Sequence, residues 1–216
     1  MKKQCLKLTI LLMAFSLFFT ALDVKATGNN ECKQNSCMSK QAIELKDDLR
    51  RLWIDHAIWT RNYIVSDIAG LEDQKVVLER LLRNQEDIGN AIKKYYGEDA
   101  GNKLAELLKE HILIAGKIVD AAKSGDQESV KKYNKDWYRN ADDIAKFLST
   151  ANPNWNNEEL KKLLYMHLEF VTADVLARLN KDWAKDVTTF DQGVDHLIII
   201  ADVLSKGIIK QFPNQF

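Results

Sequence analysis

Two nearly identical polar hexads constrain this chain more than any other feature. RNQEDI begins at Arg83 and RNADDI at Arg139, 56 residues later. Each places an Asn and an Asp inside a stretch whose apolar residues recur with helical spacing, where a buried face would normally exclude them. Three further segments keep nearly the same interval. LWIDH ends at His56, LLKEH at His111 and LLYMH at His167, separations of 55 and 56 residues. In each, a Leu stands four residues before the His and a Trp or Leu three before, which sets the imidazole on the apolar stripe of its helix. The offset of 56 also links Asn84, Asn140 and His196. A polar element repeated at such a period marks a repeated supersecondary unit, here a helical hairpin present three times.

Helix signals agree with that division. Proline occurs only at Pro153 and Pro213, and both sit at apparent helix ends. No run of alternating β-branched residues suggests a strand. Six helices are expected, over about 41–69, 74–96, 99–123, 126–150, 157–179 and 182–211. They are punctuated by Gly70, Gly97, Ser124-Gly125, ANPNWNN and Asn180-Lys181-Asp182. Asp126 and Asn156 or Asn157 read as N-caps. Short connections between long helices predict an all-α, up-and-down bundle over residues 41–213.

Residues equidistant from an antiparallel turn lie level. His56 and Asn84 centre on Gly70, His111 and Asn140 on Gly125-Asp126, and His167 and His196 on Lys181-Asp182. The six positions therefore form one layer, roughly 20 Å from either end at 1.5 Å per residue. All four histidines of the chain belong to it, and Asp87 and Asp143 lie one turn along from the asparagines.

Neutral imidazole and carboxylate together suit a transition-metal ion such as Zn, Fe, Mn or Cu, and helix bundles often house such sites. On that expectation His56, His111, His167 and His196 are the metal ligands, with Asp87 or Asp143 completing the set. Asn84 and Asn140 orient the rings through their second nitrogens. The third hairpin, where His196 replaces the Asn, is the first place to look for an ion. A metal-binding protein for storage, sensing or protection follows from this. So does the more demanding case of a metal-dependent hydrolase, which needs an open coordination position. The competing expectation is a self-satisfied hydrogen-bond network that fixes helix register in a non-catalytic envelope or interaction protein. A bound organic ligand is a further alternative. The Glu-x-x-His pattern of carboxylate di-iron bundles is absent. Asp55, Glu110 and Asp195 directly precede histidines, so they point about 100° away and read as boundary charges.

The N-terminus reads as a secretory signal peptide over residues 1–26. Lys2, Lys3 and Lys7 precede an apolar run from Leu8 to about Leu22, and Val24-Lys25-Ala26 supplies a cleavage site. An extracytoplasmic location is expected, without membrane insertion after cleavage. The whole chain has 31 basic and 31 acidic residues. The leader holds four Lys and one Asp, so the remainder has 27 basic and 30 acidic groups and a net charge of −3. No basic stripe suggests nucleic acid as a partner. Residues 27–40 form a flexible polar segment whose Cys32 and Cys37 are expected to pair as a local disulfide in an exported chain. No Gly-rich phosphate loop, GxSxG elbow or Cys–His dyad is present.

Two other clusters are weighed. YYGEDAG, NPNW and KQFP gather aromatic residues at the end opposite the hairpin turns, and a hydrophobic plug explains them better than a binding end. WTRNY sets Arg61 between aromatics, where packing of its stem is expected rather than catalysis.

The segments LWIDHAIWTR, RLLRNQEDIGNAIKKYYGEDAGNKLAELLKEHILIAG, NADDIAKFLSTANPNW and KGIIKQFP resemble an uncharacterised family of small exported bacterial all-helical proteins, over about residues 50–213. Relatives sometimes carry the label glycosyltransferase. This chain does not support it, having neither an Asp-x-Asp metal motif nor a nucleotide-sugar fold. The chain is similar more loosely, through its EH helices, to repeated-His bundles held to bind metal. That resemblance implies a metal ion as the ligand.

Overall fold

The computed structural model describes Met38–Phe216. The leader and the cysteine pair Cys32 and Cys37 lie outside the described residues. Helices run over Lys40–Ala69 (α1), Gln74–Tyr96 (α2), Glu98–Ser124 (α3), Gln127–Ala151 (α4), Asn157–Leu179 (α5) and Trp183–Gln211 (α6), and a single 3₁₀ turn follows at Pro213–Gln215. The expected polar segment 27–40 gives way to helix at its end, because Ser39 caps α1 by accepting from the Ala42 N–H.

Capping explains the other boundaries. Asp126, Asn156 and Asp182 each accept a backbone N–H three residues on, opening α4, α5 and α6. The three hairpin turns are the same turn. In each, a residue just past the helix donates three residues back and the next donates five residues back. The pairs are Gly70 and Leu71, Gly125 and Asp126, Lys181 and Asp182. The first of each pair is left-handed, with φ of 66° at Gly70, 75° at Gly125 and 58° at Lys181. Lys181 thus holds a conformation that its two equivalents assign to glycine.

The helices form a closed up-and-down ring. Each packs on the next, α6 closes on α1, and the α4–α5 seam is the loosest. Helix α1 also touches α3 and α5, so it leans into the middle of the ring. Close approach of α2 and α3 depends on Gly89 and Gly101, since a Cβ on either would overlap the other's backbone carbonyl. At the end opposite the hairpin turns, the chain closes as a plug. Tyr95 stacks on Phe216 at 5.7 Å and Tyr96 meets Phe212 edge-on at 5.4 Å. Tyr96 donates its hydroxyl to Gln211 Oε1 and accepts from Asn152 Nδ2. Those bonds satisfy the polar atoms there, as a plug requires.

The apolar core is not continuous. One large cluster fills the half of the ring nearer the plug, from Leu45 and Leu49 to Leu204 and Ile208, and reaches past the polar layer at Ala57, Ile114 and Trp137. Two small clusters, Tyr63–Leu81–Ile112 and Ile64–Val119–Val175, occupy the half nearer the hairpin turns. The repeated polar residues lie between the two halves. Among the described residues no helix is long and apolar enough to cross a membrane.

Two substitutions test the turn geometry. A left-handed L-residue costs about 1–2 kcal/mol, so Lys181→Gly should raise unfolding stability by about 1 kcal/mol in urea titration. Gly125→Ala, which meets no atom within 4 Å and so acts only through its backbone, should lower it by a similar amount, about 1 kcal/mol.

Candidate functional site

The polar layer is built by one bond made three times. Asn84 Nδ2 donates to the carbonyl of Leu52 at 3.0 Å, and Asn140 Nδ2 donates to that of Leu107 at 3.0 Å. His196 Nε2 lies 2.8 Å from the carbonyl of Leu163 and donates to it, which fixes its proton on Nε2. Each acceptor lies four residues before the histidine of its odd-numbered helix. The 56-residue offset is therefore a cross-link between the two helices of each hairpin, and His196 performs the task of an asparagine.

Beyond that bond the hairpins differ. Asn140 Oδ1, left as an acceptor, lies 2.9 Å from His111 Nδ1 and accepts a hydrogen bond from its N–H. This is the expected second-nitrogen orienting bond, and Glu110 supports Asn140 from 3.2 Å. In the first hairpin Asn84 Oδ1 accepts instead from Gln85 Nε2 at 3.0 Å, so Asn84 does not orient His56 in this way. Around this level five buried polar atoms lack a hydrogen-bond partner among the described residues: Trp53 Nε1, His56 Nδ1, Thr60 Oγ1, Gln85 Oε1 and Trp137 Nε1.

Three of the four histidines meet inside the ring. The His56 and His167 rings are 5.4 Å apart, and His111 and His167 are 5.9 Å apart and nearly parallel. Trp53 packs on His56 and Trp137 on His111. His196 stands against Phe170, with its Nε2 committed to the backbone. Burial pushes His56 down to about 3, and His111 adds to that shift while Gln85 and Asn84 oppose it. Burial pushes His111 down to about 4 against the pull of Asn140 and Glu110. His167 lies well below the ordinary range, through burial and then through His56, His111 and His196. These three rings are neutral throughout the physiological range.

The expected carboxylates stand elsewhere. Asp143 is half-exposed and paired with Arg139 at 2.6 Å, one helical turn before it. Asp87 is likewise half-exposed, 3.9 Å from Arg80. Both sit three residues past a fully buried asparagine, a rotation of about 60° that carries them to the ring's outer edge. Among the described residues, no group of three or more His, Cys, Asp or Glu is arranged to hold a metal ion.

A second polar cluster on the hairpin-turn side joins α1, α5 and α6. Arg61 forks onto Asp186 at 2.9 and 2.8 Å and reaches Asp174 at 3.0 Å, while Arg178 also donates to Asp186 at 2.7 Å. Two guanidiniums outweigh burial and hold the Asp186 carboxyl down, whereas burial and the neighbouring Asp186 raise Asp174. Arg61 does pack on an aromatic face, that of Phe190 at 4.8 Å, but its charge is spent on the two carboxylates. Periodicity did not disclose this cluster. A signal was present, because Asp174 and Asp186 lie on either side of the Lys181-Asp182 turn and differ in height by only about one helical turn.

No family model, no curated protein and no solved structure matches the chain.

The sign of the pH dependence follows from these groups. Depressed histidine pKa values make the unfolded chain bind more protons below about 6.5, so stability is lost as pH falls toward 4. Asp174 acts oppositely, since its raised folded pKa favours the native state at low pH until the unfolded carboxyl also protonates. Three imidazoles against one carboxyl leave a net uptake of about two protons on unfolding. The unfolding free energy from urea titrations should fall from pH 6.5 to 4.5 by about 2–3 kcal/mol per pH unit, and His111→Gln should flatten the slope by about one proton's worth.

Proposed function

We propose that this is a non-catalytic, extracytoplasmic envelope or interaction protein whose His/Asn/Asp repeat is a structural network. One observation carries this reading: all three stations make the same bond to the same backbone position, and the third does so with a histidine. The station that changes from Asn to His keeps the helix-to-helix bond, so that bond is common to all three repeats. The rings with depressed pKa values are buried and uncharged, so none is an imidazolium acid at neutral pH, and Glu110, which acts on His111, is engaged with Arg139 and Asn140.

A second reading, a metal ion bound by His56, His111 and His167, is favoured by ring separations of 5.4 and 5.9 Å. Three imidazoles around one tetrahedral ion have centroids about 5–6 Å apart, given metal–nitrogen bonds near 2.0–2.1 Å.

Metal content separates the two. Protein purified without a His tag and reconstituted with Zn, Fe, Mn and Cu should retain less than about a tenth of an equivalent and gain no thermal stability from the metals. Stoichiometric metal lost in His111→Ala would overturn the structural reading. The network itself is tested by exchange at its third station. His196→Asn should melt within about 1 kcal/mol of the parent, because Asn makes that bond elsewhere, while Asn140→Ala should cost about 1–3 kcal/mol by stranding His111 Nδ1.

A further inference from the structure

We propose that the hairpin-turn end of the bundle binds a small aromatic acid as its anion, in a cleft between the ends of α1, α3 and α5 and the start of α6. This surface cleft of about 440 Å³ has a lining that includes Ile68, Lys123, Arg178, Leu179, Lys181 and Trp183. Small-molecule sites span roughly 300–1,000 Å³, so there is room for a flat ring system. The cleft lies roughly 20 Å from the imidazoles, half the length of a hairpin, and stands or falls apart from the metal measurement.

Charge selects an anion. Lys123, Arg178 and Lys181 line the cleft, and no carboxylate does. The acids that pair with two of these cations are buried. Lys123 reaches Asp67 at 2.6 Å and Arg178 Nη1 donates to Asp186 at 2.7 Å, and neither acid is more than 2% exposed. Arg178 spends one nitrogen on that bond, and its Nε and Nη2 make no hydrogen bond among the described residues. Lys181 alone of the three forms no ion pair among the described residues. An ammonium and the free edge of a guanidinium are thus both available to one ligand carboxylate.

Trp183 supplies the aromatic part. It is 54% exposed, and the Arg178 guanidinium lies over its ring at 5.1 Å. An indole held beside a fixed positive charge presents apolar surface and charge together, which suits a flat ring carrying a carboxylate. The backbone gives an independent sign. Lys181 holds φ 58° where the two equivalent turns have Gly70 and Gly125. A lysine in that conformation costs about 1–2 kcal/mol that a glycine would not, and no ion pair of its side chain offsets it. Strained residues of this kind cluster at ligand sites, where the side chain is needed in spite of its backbone. The side chain gained at Lys181 is a cation in the cleft.

The test is a titration of the purified protein at neutral pH with 2-naphthoate, with 2-naphthamide, its uncharged counterpart, and with acetate, which has no ring. Binding is read from the indole N–H resonances in ¹⁵N spectra, with Trp183 assigned by Trp183→Phe. 2-Naphthoate should shift the Trp183 resonance saturably and bind about two- to fivefold more tightly than the amide, the worth of one exposed ion pair. That preference should vanish in about 1 M NaCl, where screening acts within a few ångströms. Lys181→Gly, expected to be the more stable protein, should bind 2-naphthoate about two- to fivefold less tightly, and Lys181→Arg should keep the parent affinity. A stabilised variant that loses affinity does not owe the loss to misfolding. The site is overturned if 2-naphthoate saturates no shift, if acid and amide bind equally, or if Lys181→Gly binds like the parent. Acetate binding as tightly as 2-naphthoate would overturn the aromatic part of the assignment.

Discussion

The bond from an even-helix side chain to the backbone carbonyl of its hairpin partner is what the rest of this fold depends on. A helix pair held only by apolar ridges can slide by a turn at modest cost, because each ridge has an equivalent groove one turn on. A buried amide donor cannot slide, since one turn away it would leave its hydrogen unpaired in an apolar surrounding. Asn84 and Asn140 are fully buried and each donates to a defined carbonyl. His196 does the same with a ring nitrogen. Three such pins set the register of three hairpins, and the identical left-handed turns close each hairpin at the length the pins require.

Pinning the register at mid-height has a consequence for packing. The layer interrupts the apolar interior, and the two sides are filled differently. Toward the plug, Leu, Ile and Ala interdigitate into one cluster sealed by Tyr95, Tyr96, Trp155 and Phe212. A Cβ on Gly207 would enter the Trp155 indole, so even the backbone of α6 is fitted to that seal. Toward the hairpin turns, the stabilising groups are charged. Arg61 and Arg178 bridge Asp174 and Asp186, and Lys123 reaches the buried carboxylate of Asp67 at 2.6 Å. Buried ion pairs hold helix ends in a defined geometry, yet they contribute less net stability than a packed apolar cluster would.

Much of this was legible in the sequence because helices and their repeats follow short-range rules. The hairpin count, helix ends, N-caps at Asp126 and Asn156, and the common height of His56, Asn84, His111, Asn140, His167 and His196 all follow from periodicity and midpoints. Direction was harder to read than height. Asp87 and Asp143 were level with the layer within one turn, but an angular offset of about 60° decides between ring interior and surface, and the arginines Arg80 and Arg139 favour the surface. The bonds themselves were not legible. Nothing in LWIDH marks the Leu52 carbonyl, rather than the imidazole, as the partner of Asn84. The Arg61 cluster joins residues 113 and 125 positions apart, and only their three-dimensional arrangement makes them one group.

The histidines are then best understood by what the repeat does not ask of them. The shared bond uses the carbonyl four residues before His56, His111 and His167, so their side chains are free of it and lie inside the ring where α1, α3 and α5 converge. Their surroundings have diverged accordingly. His111 is held by Asn140, His56 Nδ1 has no partner among the described residues, and His167 stands between the other two rings. The side chain that makes the pin changes from Asn to His at the third station while its bond is kept, and the three central histidines are kept in surroundings that differ. A neutral imidazole suits that position physically. It fills space beside Trp53 and Trp137, can donate and accept within a few ångströms, and remains uncharged because burial holds its proton off at neutral pH.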